Sequence, residues 1–123
     1  MKTLKLLLIS LLAGGIYHSG VCGEIKVGVN LPLSGNLTAY GKTTLDGIKL
    51  KTEEINAAGG INGEKIELVI YDDQASPKEA APIATKLIEK DKVVVAVSGS
   101  YSAPTRAAAP IFQNAKVPYV VAY

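Results

Sequence analysis

The chain has 123 residues with 13 Lys+Arg against 11 Asp+Glu, a single Cys and a single His. Lys2 and Lys5 both fall in an apolar leader, so the remainder carries 11 basic and 11 acidic groups and is formally neutral. That balance, with no basic run and no aromatic stacking platform, points away from nucleic acid or an anionic membrane surface as a partner.

Residues 1–23 read as an export signal. Lys2 and Lys5 form a positive start, and Leu6 to Leu12 with Ala13 and Ile16 form an apolar core. That core is shorter than the roughly 20 residues a membrane helix needs. Small residues follow at Ser19, Gly20 and Gly23, so cleavage after Gly23 leaves a chain that begins at Glu24. Cys22 has two readings, lipid attachment or loss with the leader. Val21 before it, where a lipoprotein signal wants a small residue, favours loss. His18 goes with the leader too, so the exported part is expected to hold no disulfide, metal–thiolate cluster or thiol nucleophile.

A first strand is expected over 25–31 (IKVGVNL), followed by a long polar loop over 32–41 that carries one aromatic, Tyr40. The loop lacks the Gly-x-Gly-x-x-Gly of a dinucleotide site and the Lys-Ser/Thr of a phosphate loop. It reads as a wall of a ligand cleft or as a loop that packs Tyr40 on its own helix. Asn36-Leu37-Thr38 is a glycosylation sequon by pattern, of a length that arises by chance.

A helix is expected over about 41–58, with Leu45, Ile48, Thr52 and Ile55 on its inner face. Asn56 and the Gly59-Gly60 pair end it by tolerating left-handed backbone angles, and Gly63 permits a tight turn. A second strand follows over 66–71, closed by Asp72-Asp73. Without a third acidic group or a His beside it, this pair reads as loop and cap chemistry rather than as a metal or acid–base site.

The second helix starts at Ser76 as N-cap, with Pro77 at the first helical position and Glu79 closing a capping box. Ala80, Ala84, Leu87 and Ile88 form its apolar stripe, and Pro82 is placed to kink it. Strand three, 93–97, is Val93-Val94-Val95-Ala96-Val97, apolar on both faces as in the middle of a parallel sheet. Ser98 to Ser102 then lead into a third helix over about 103–114, with Pro110 expected to bend it, and a last strand over 118–122.

Ser100, Tyr101 and Ser102 therefore lie between a buried strand and a helix start, where unpaired N–H groups attract anions such as carboxylates. Ser102 is read as the helix cap, as a cleft group, or as both. No nucleophile elbow is present and no His base remains.

The order β-α-β-α-β-α-β gives an α/β fold with a doubly wound, mostly parallel sheet. The chain stops in an apolar strand, so an incomplete lobe is expected. Ligands of such sheets sit at the carboxyl ends of the strands, near a topological switch point.

The motifs also resemble a known family. Ile25-Lys26-Val27-Gly28, Pro32-Leu33-Ser34-Gly35, Tyr40-Gly41, Gly47, Ile55-Asn56, Gly59-Gly60-Ile61-Asn62-Gly63, Tyr71-Asp72-Asp73, Pro77 and Ser100-Tyr101-Ser102 occur in order and spacing. Together they resemble the amino-terminal lobe of periplasmic substrate-binding proteins of the branched-chain amino acid (Leu/Ile/Val) type, which serve ABC transporters. The resemblance covers nearly all of 24–123.

It implies a type I periplasmic-binding-protein lobe, no catalysis, no cofactor and no metal. The implied partners are an amino acid or related small carboxylate and a membrane permease of the ABC transporter. It places the ligand's polar anchor on Ser102, with Ser100 if the register slips and Tyr101 between them. Tyr40 is implied to touch the ligand's side chain. The second lobe and its contacts are expected to be missing. Two other readings remain at this stage: a ligand-sensing receptor module of the same fold, and part of an α/β enzyme.

Overall fold

A computed structural model of the chain describes residues 23–99 and 101–122. The leader with Lys2, Lys5, His18 and Cys22, together with Ser100, lies outside the described residues. The elements alternate as the hydrophobic patterning requires. They are β1 (Glu24–Leu31), a 3-10 turn (Gly35–Leu37), α1 (Thr38–Ala57), β2 (Lys65–Asp72), α2 (Pro77–Glu89), β3 (Val95–Ser98), α3 (Ser102–Asn114) and β4 (Tyr119–Val121).

All four strands run parallel in the order β2-β1-β3-β4. Residue pairs such as Val29↔Ile70, Val29↔Val97 and Val97↔Val120 set the register. Strand side chains alternate between faces, so each face collects every second residue. One face packs Val29 and Leu31 with Leu45 of α1, joined by Leu33, Ile48, Leu68 and Ile70. The other packs Ala96 against Ala80, Ala84 and Leu87 of α2 and Ala108 and Phe112 of α3. Helices thus lie on both faces, and the doubly wound α/β sheet expected from the sequence is the one observed.

The α1–β2 junction shows how local sequence stops one element and starts the next. The N–H of Gly60 reaches Ile55 O at 2.9 Å and that of Gly59 reaches Asn56 O at 3.2 Å, with Gly59 at φ +104°. Those paired bonds satisfy the last carbonyls of the helix, and the left-handed residue between them suits glycine. Asn62 (φ 52°) and Gly63 (φ 86°) then form a two-residue turn closed by reciprocal bonds between Ile61 and Glu64. Positive φ at both central residues makes it the turn that Asn-Gly favours.

Asn56 has a different part from the one its residue type suggested. It stays within the helix and spends its amide on β2: Nδ2 donates to Ile66 O at 2.9 Å, and Oδ1 accepts the Ile66 N–H at 2.7 Å.

Several boundaries move. α1 begins at Thr38 rather than near 41, because the 3-10 turn feeds straight into it and Thr38 Oγ1 donates to Gly35 O at 2.6 Å. Tyr40 therefore stands on the first turn of α1 and not in a loop. At α2, Ser76 is the N-cap and Pro77 the first helical residue as expected. The capping box does not form: Ser76 makes no side-chain cap bond, and its carbonyl accepts the N–H groups of Glu79 and Ala80. Both α2 and α3 run on through Pro82 and Pro110.

Candidate functional site

The sheet order locates the site. The chain leaves β1 towards β2 on one side, and the next crossover passes over β1 to place β3 on its other side. The loops after β1 and β3 therefore part company above the same two strands. The crevice between them is the topological switch point, where doubly wound folds take ligands.

Two glycines set the floor of this crevice. A Cβ on Gly41 would run into the Pro32 carbonyl, so the first turn of α1 is pressed directly onto the end of β1. A Cβ on Gly99 would lie 3.0 Å from Leu31 Cδ2 and against the Thr44 methyl, so the end of β3 is pressed onto α1 in turn. Thr44 cannot easily turn aside, since its hydroxyl donates to Tyr40 O at 3.0 Å.

On this floor the starts of α1 and α3 meet through their aromatics. The rings of Tyr40 and Tyr101 lie 6.4 Å apart, edge to face at 86°. Both remain open to solvent, Tyr40 at 60% and Tyr101 at 38%. Edge-to-face contact is a favoured geometry for aromatic pairs and leaves a ring face free.

Ser102 is exposed beside them, with a correction to its expected place. Tyr101 is the N-cap of α3, in extended conformation, and Ser102 is the first helical residue. The register follows from the Thr105 N–H, which reaches Tyr101 O at 3.1 Å and makes Tyr101 the acceptor that opens the helix. No side chain caps this end, so Ser102 is not held by a capping bond. First-turn N–H groups have no partner within their own helix and carry the positive end of its dipole. Thr105 Oγ1, one turn in, is buried without a hydrogen-bond partner.

The structure thus brings together Tyr40, Tyr101 and the start of α3 with Ser102. The Asp72-Asp73 pair does not enter the crevice. Asp73 is fully buried, and its carboxylate accepts from Asn30 Nδ2 at 3.0 Å and from the Ala75 N–H at 2.9 Å. Asn30 Oδ1 accepts in turn from the Tyr119 hydroxyl at 3.1 Å, which links β1, β4 and the end of β2.

Asp72 accepts from the Leu33 N–H at 2.8 Å and the Gln74 N–H at 2.9 Å. Burial pushes its carboxyl up, but bonds from the Ser34 hydroxyl and from the N–H groups of Gln74, Leu33 and Ser34 outweigh this and hold it below the usual carboxylate range. The bonds to the Gln74 and Ala75 N–H groups fit the loop-and-cap reading of the pair, while those to Leu33 and Asn30 reach beyond the approach to α2. Among the described residues no three His, Cys, Asp or Glu side chains converge as metal ligands would.

With this geometry, the match to known proteins is decisive. The model of the periplasmic binding protein family matches residues 24–123. The chain belongs to that family.

This periplasmic binding protein chain is 35% identical over 103 residues to the leucine-, isoleucine-, valine-, threonine- and alanine-binding protein of Pseudomonas aeruginosa. The match takes in 84% of the chain and 27% of the relative. It superposes on the branched-chain amino acid transporter substrate-binding protein LivJ of Streptococcus pneumoniae, solved with isoleucine, at TM-score 0.77 and 41% identity. That match covers 80% of this chain and 28% of the other. A solute-binding protein of an ABC transporter from Rhodopseudomonas palustris, solved with 3,4-dihydroxybenzoic acid, matches at TM-score 0.73 and 35% identity. It covers 80% of this chain and 26% of the other. The matches therefore span little more than a quarter of the length of these three proteins.

What the sequence did not reveal was the work of Thr44, Gly99 and Asn30 in shaping the ends of the strands. Gly99 follows a buried strand and precedes a helix, which marks a close approach only once the topology places α1 against it.

Proposed function

We propose that this chain is the amino-terminal part of the first lobe of an extracytoplasmic solute-binding protein. In this reading the protein captures an amino acid or related small carboxylate, delivers it to an ABC transporter permease, and catalyses nothing. Residues 1–23 act as the export signal, and Cys22 leaves with them. The second lobe, on further polypeptide, closes over the ligand by a hinge motion.

The observation that carries the reading is the meeting of Tyr40 and Tyr101 across the switch point, at the uncapped start of α3. A ligand carboxylate set there faces first-turn N–H groups, and the exposed Ser102 hydroxyl adds a donor. Ser100 is the second candidate for that donor. The tyrosines supply an apolar wall with a polar edge for the ligand's side chain.

The same wall favours a second ligand class. Paired, exposed aromatic rings suit an aromatic carboxylate as well as an aliphatic amino acid, and the relatives solved with isoleucine and with 3,4-dihydroxybenzoic acid span both.

Calorimetric titration of the full-length protein with a panel of amino acids and hydroxybenzoates tests the proposal. One class is expected to bind. Ser102→Ala is expected to weaken it by about 1.5–3 kcal/mol, the usual cost of a hydrogen bond to a charged group. Unchanged affinity in both Ser102→Ala and Ser100→Ala counts against the assignment of the polar anchor.

A further inference from the structure

Once the ligand groups are assigned, Asp72 is left over. It lies at the end of the outer strand β2, one strand away from the crevice, yet it reaches across to the loop after β1. It holds the Leu33 N–H at 2.8 Å and accepts from Ser34, while its bond to Gln74 at 2.9 Å fixes the carboxylate itself.

We propose that Asp72 is a positioning residue for the ligand cleft: its carboxylate ties the loop over 32–37 to the end of β2 and thereby sets where α1 begins and where Tyr40 stands. The inference rests on the binding function proposed above and adds to it the residue that holds one wall of the site in place.

Three features of the loop make the tether matter. α1 has no side-chain cap at its start, since Leu37 occupies that position. Gly35 stands at φ +75°, a conformation with little inherent preference to persist. Leu33 also packs on the core of β1 and α1, and the other ties are local, from Thr38 Oγ1 to Gly35 O and from the packing of Gly41 on Pro32. Asp72 adds hydrogen bonds that join the front of the loop, at Leu33 and Ser34, to the end of a different strand.

A carboxylate suits the task because two oxygens serve several N–H donors at once, and charge makes each bond stronger than a neutral one. A wall fixed before the ligand arrives loses less conformational freedom on binding, which raises affinity through slower release. Asp73, next in the chain, gives the contrast. Its side-chain bonds go to Asn30 in the core and to the Ala75 N–H in its own loop, and leave the loop after β1 untouched.

Three variants of the full-length protein separate these roles: Asp72→Ala, Asp72→Asn and Asp73→Asn. Hydrogen exchange over 33–37, thermal melting and ligand affinity are read for each. Asp72→Ala is expected to raise exchange at Leu33 and to weaken ligand binding about tenfold, chiefly through faster dissociation. Asp72→Asn keeps one acceptor oxygen for Leu33 and is expected to recover part of both. Asp73→Asn is expected to lower the melting temperature with exchange over 33–37 and affinity unchanged.

Unaltered exchange at Leu33 in Asp72→Ala overturns the tether. Loosened exchange with unaltered affinity overturns the positioning role. An equal loss of affinity in Asp73→Asn for the same loss of stability reduces Asp72 to a structural residue and overturns it as well. If the unmodified protein takes up neither an amino acid nor a hydroxybenzoate, the binding function falls, while exchange at Leu33 still decides the tether.

Discussion

At the scale of single residues, adjacent carboxylates end in different chemistry because their surroundings differ. Asp73 is sealed within the core, paired with an amide that is itself paired with Tyr119. Asp72 is held by donors at the rim, and their hydrogen bonds keep its carboxyl below the usual carboxylate range. A depressed carboxyl contributes stability above its unfolded value, and that contribution disappears as pH falls through the folded value. The tether over 33–37 is therefore expected to stay intact at neutral and mildly acidic pH and to loosen only below the usual carboxylate range. Exchange at the Leu33 N–H, corrected for the intrinsic rate at each pH, reads this directly. In Asp72→Asn the acid step is expected to vanish, because the group that titrates has gone. Ser34 and Asp73 are the polar neighbours that share this corner, and Asp73 is occupied by Asn30 and Ala75.

At the scale of elements, β2 illustrates how an outer strand is finished. β1 covers one of its edges, and at Ile66 the other edge is met by Asn56, whose amide donates and accepts as a neighbouring strand would. Exposed strand edges invite pairing with other chains, so such a plug protects as well as stabilises. Asn56→Ala is expected to cost about 1–2 kcal/mol in urea unfolding, from two lost bonds at a partly hydrated edge. Asn56→Asp is expected to cost more, because it removes the donor to Ile66 O and sets a negative charge against that carbonyl. The reverse order would mean that Asn56 matters for α1 and not for the edge. From sequence, Asn56 was legible only as a residue that favours helix ends. Its bond to Ile66 depends on the chain turning back through Asn62-Gly63, a long-range consequence of a short-range signal. The strands and helices themselves were legible because their apolar spacing is strong, as in Ala80, Ala84 and Leu87, although β3 begins at Val95 rather than Val93 and leaves Val94 exposed. The errors fell at ends, where backbone bonding decides: Tyr101 rather than Ser102 opens α3, and Thr38 rather than Gly41 opens α1. Tyr40, Tyr101 and Ser102, which lie together at the switch point, were singled out through motif and resemblance. Their meeting was not, because it is set by strand order.

At the scale of the whole molecule, the two faces of the sheet are unevenly covered. α2 and α3 together bury Phe112, Leu87 and four alanines across one face. On the other, α1 packs on β1 and β2, where its buried partners are Val29 and Leu31. The register carries that face on through Val95 and Val97 of β3 to Val120 of β4, which is 54% exposed. Val121 beside it is exposed as well. An apolar strip at a sheet's outer strand is a surface that association would bury. Residues 24–123 prepared alone are therefore expected to self-associate with rising concentration, which light scattering coupled to size exclusion measures. Val120→Lys is expected to shift them towards monomer. It should do so at little cost in stability, because Val120 pairs with Val97 on one side only and its side chain is already largely hydrated. Association that Val120→Lys leaves unchanged would place the contact elsewhere. Relief by Val120→Lys would show that this half-face lacks a cover within the described residues, as its exposure suggests.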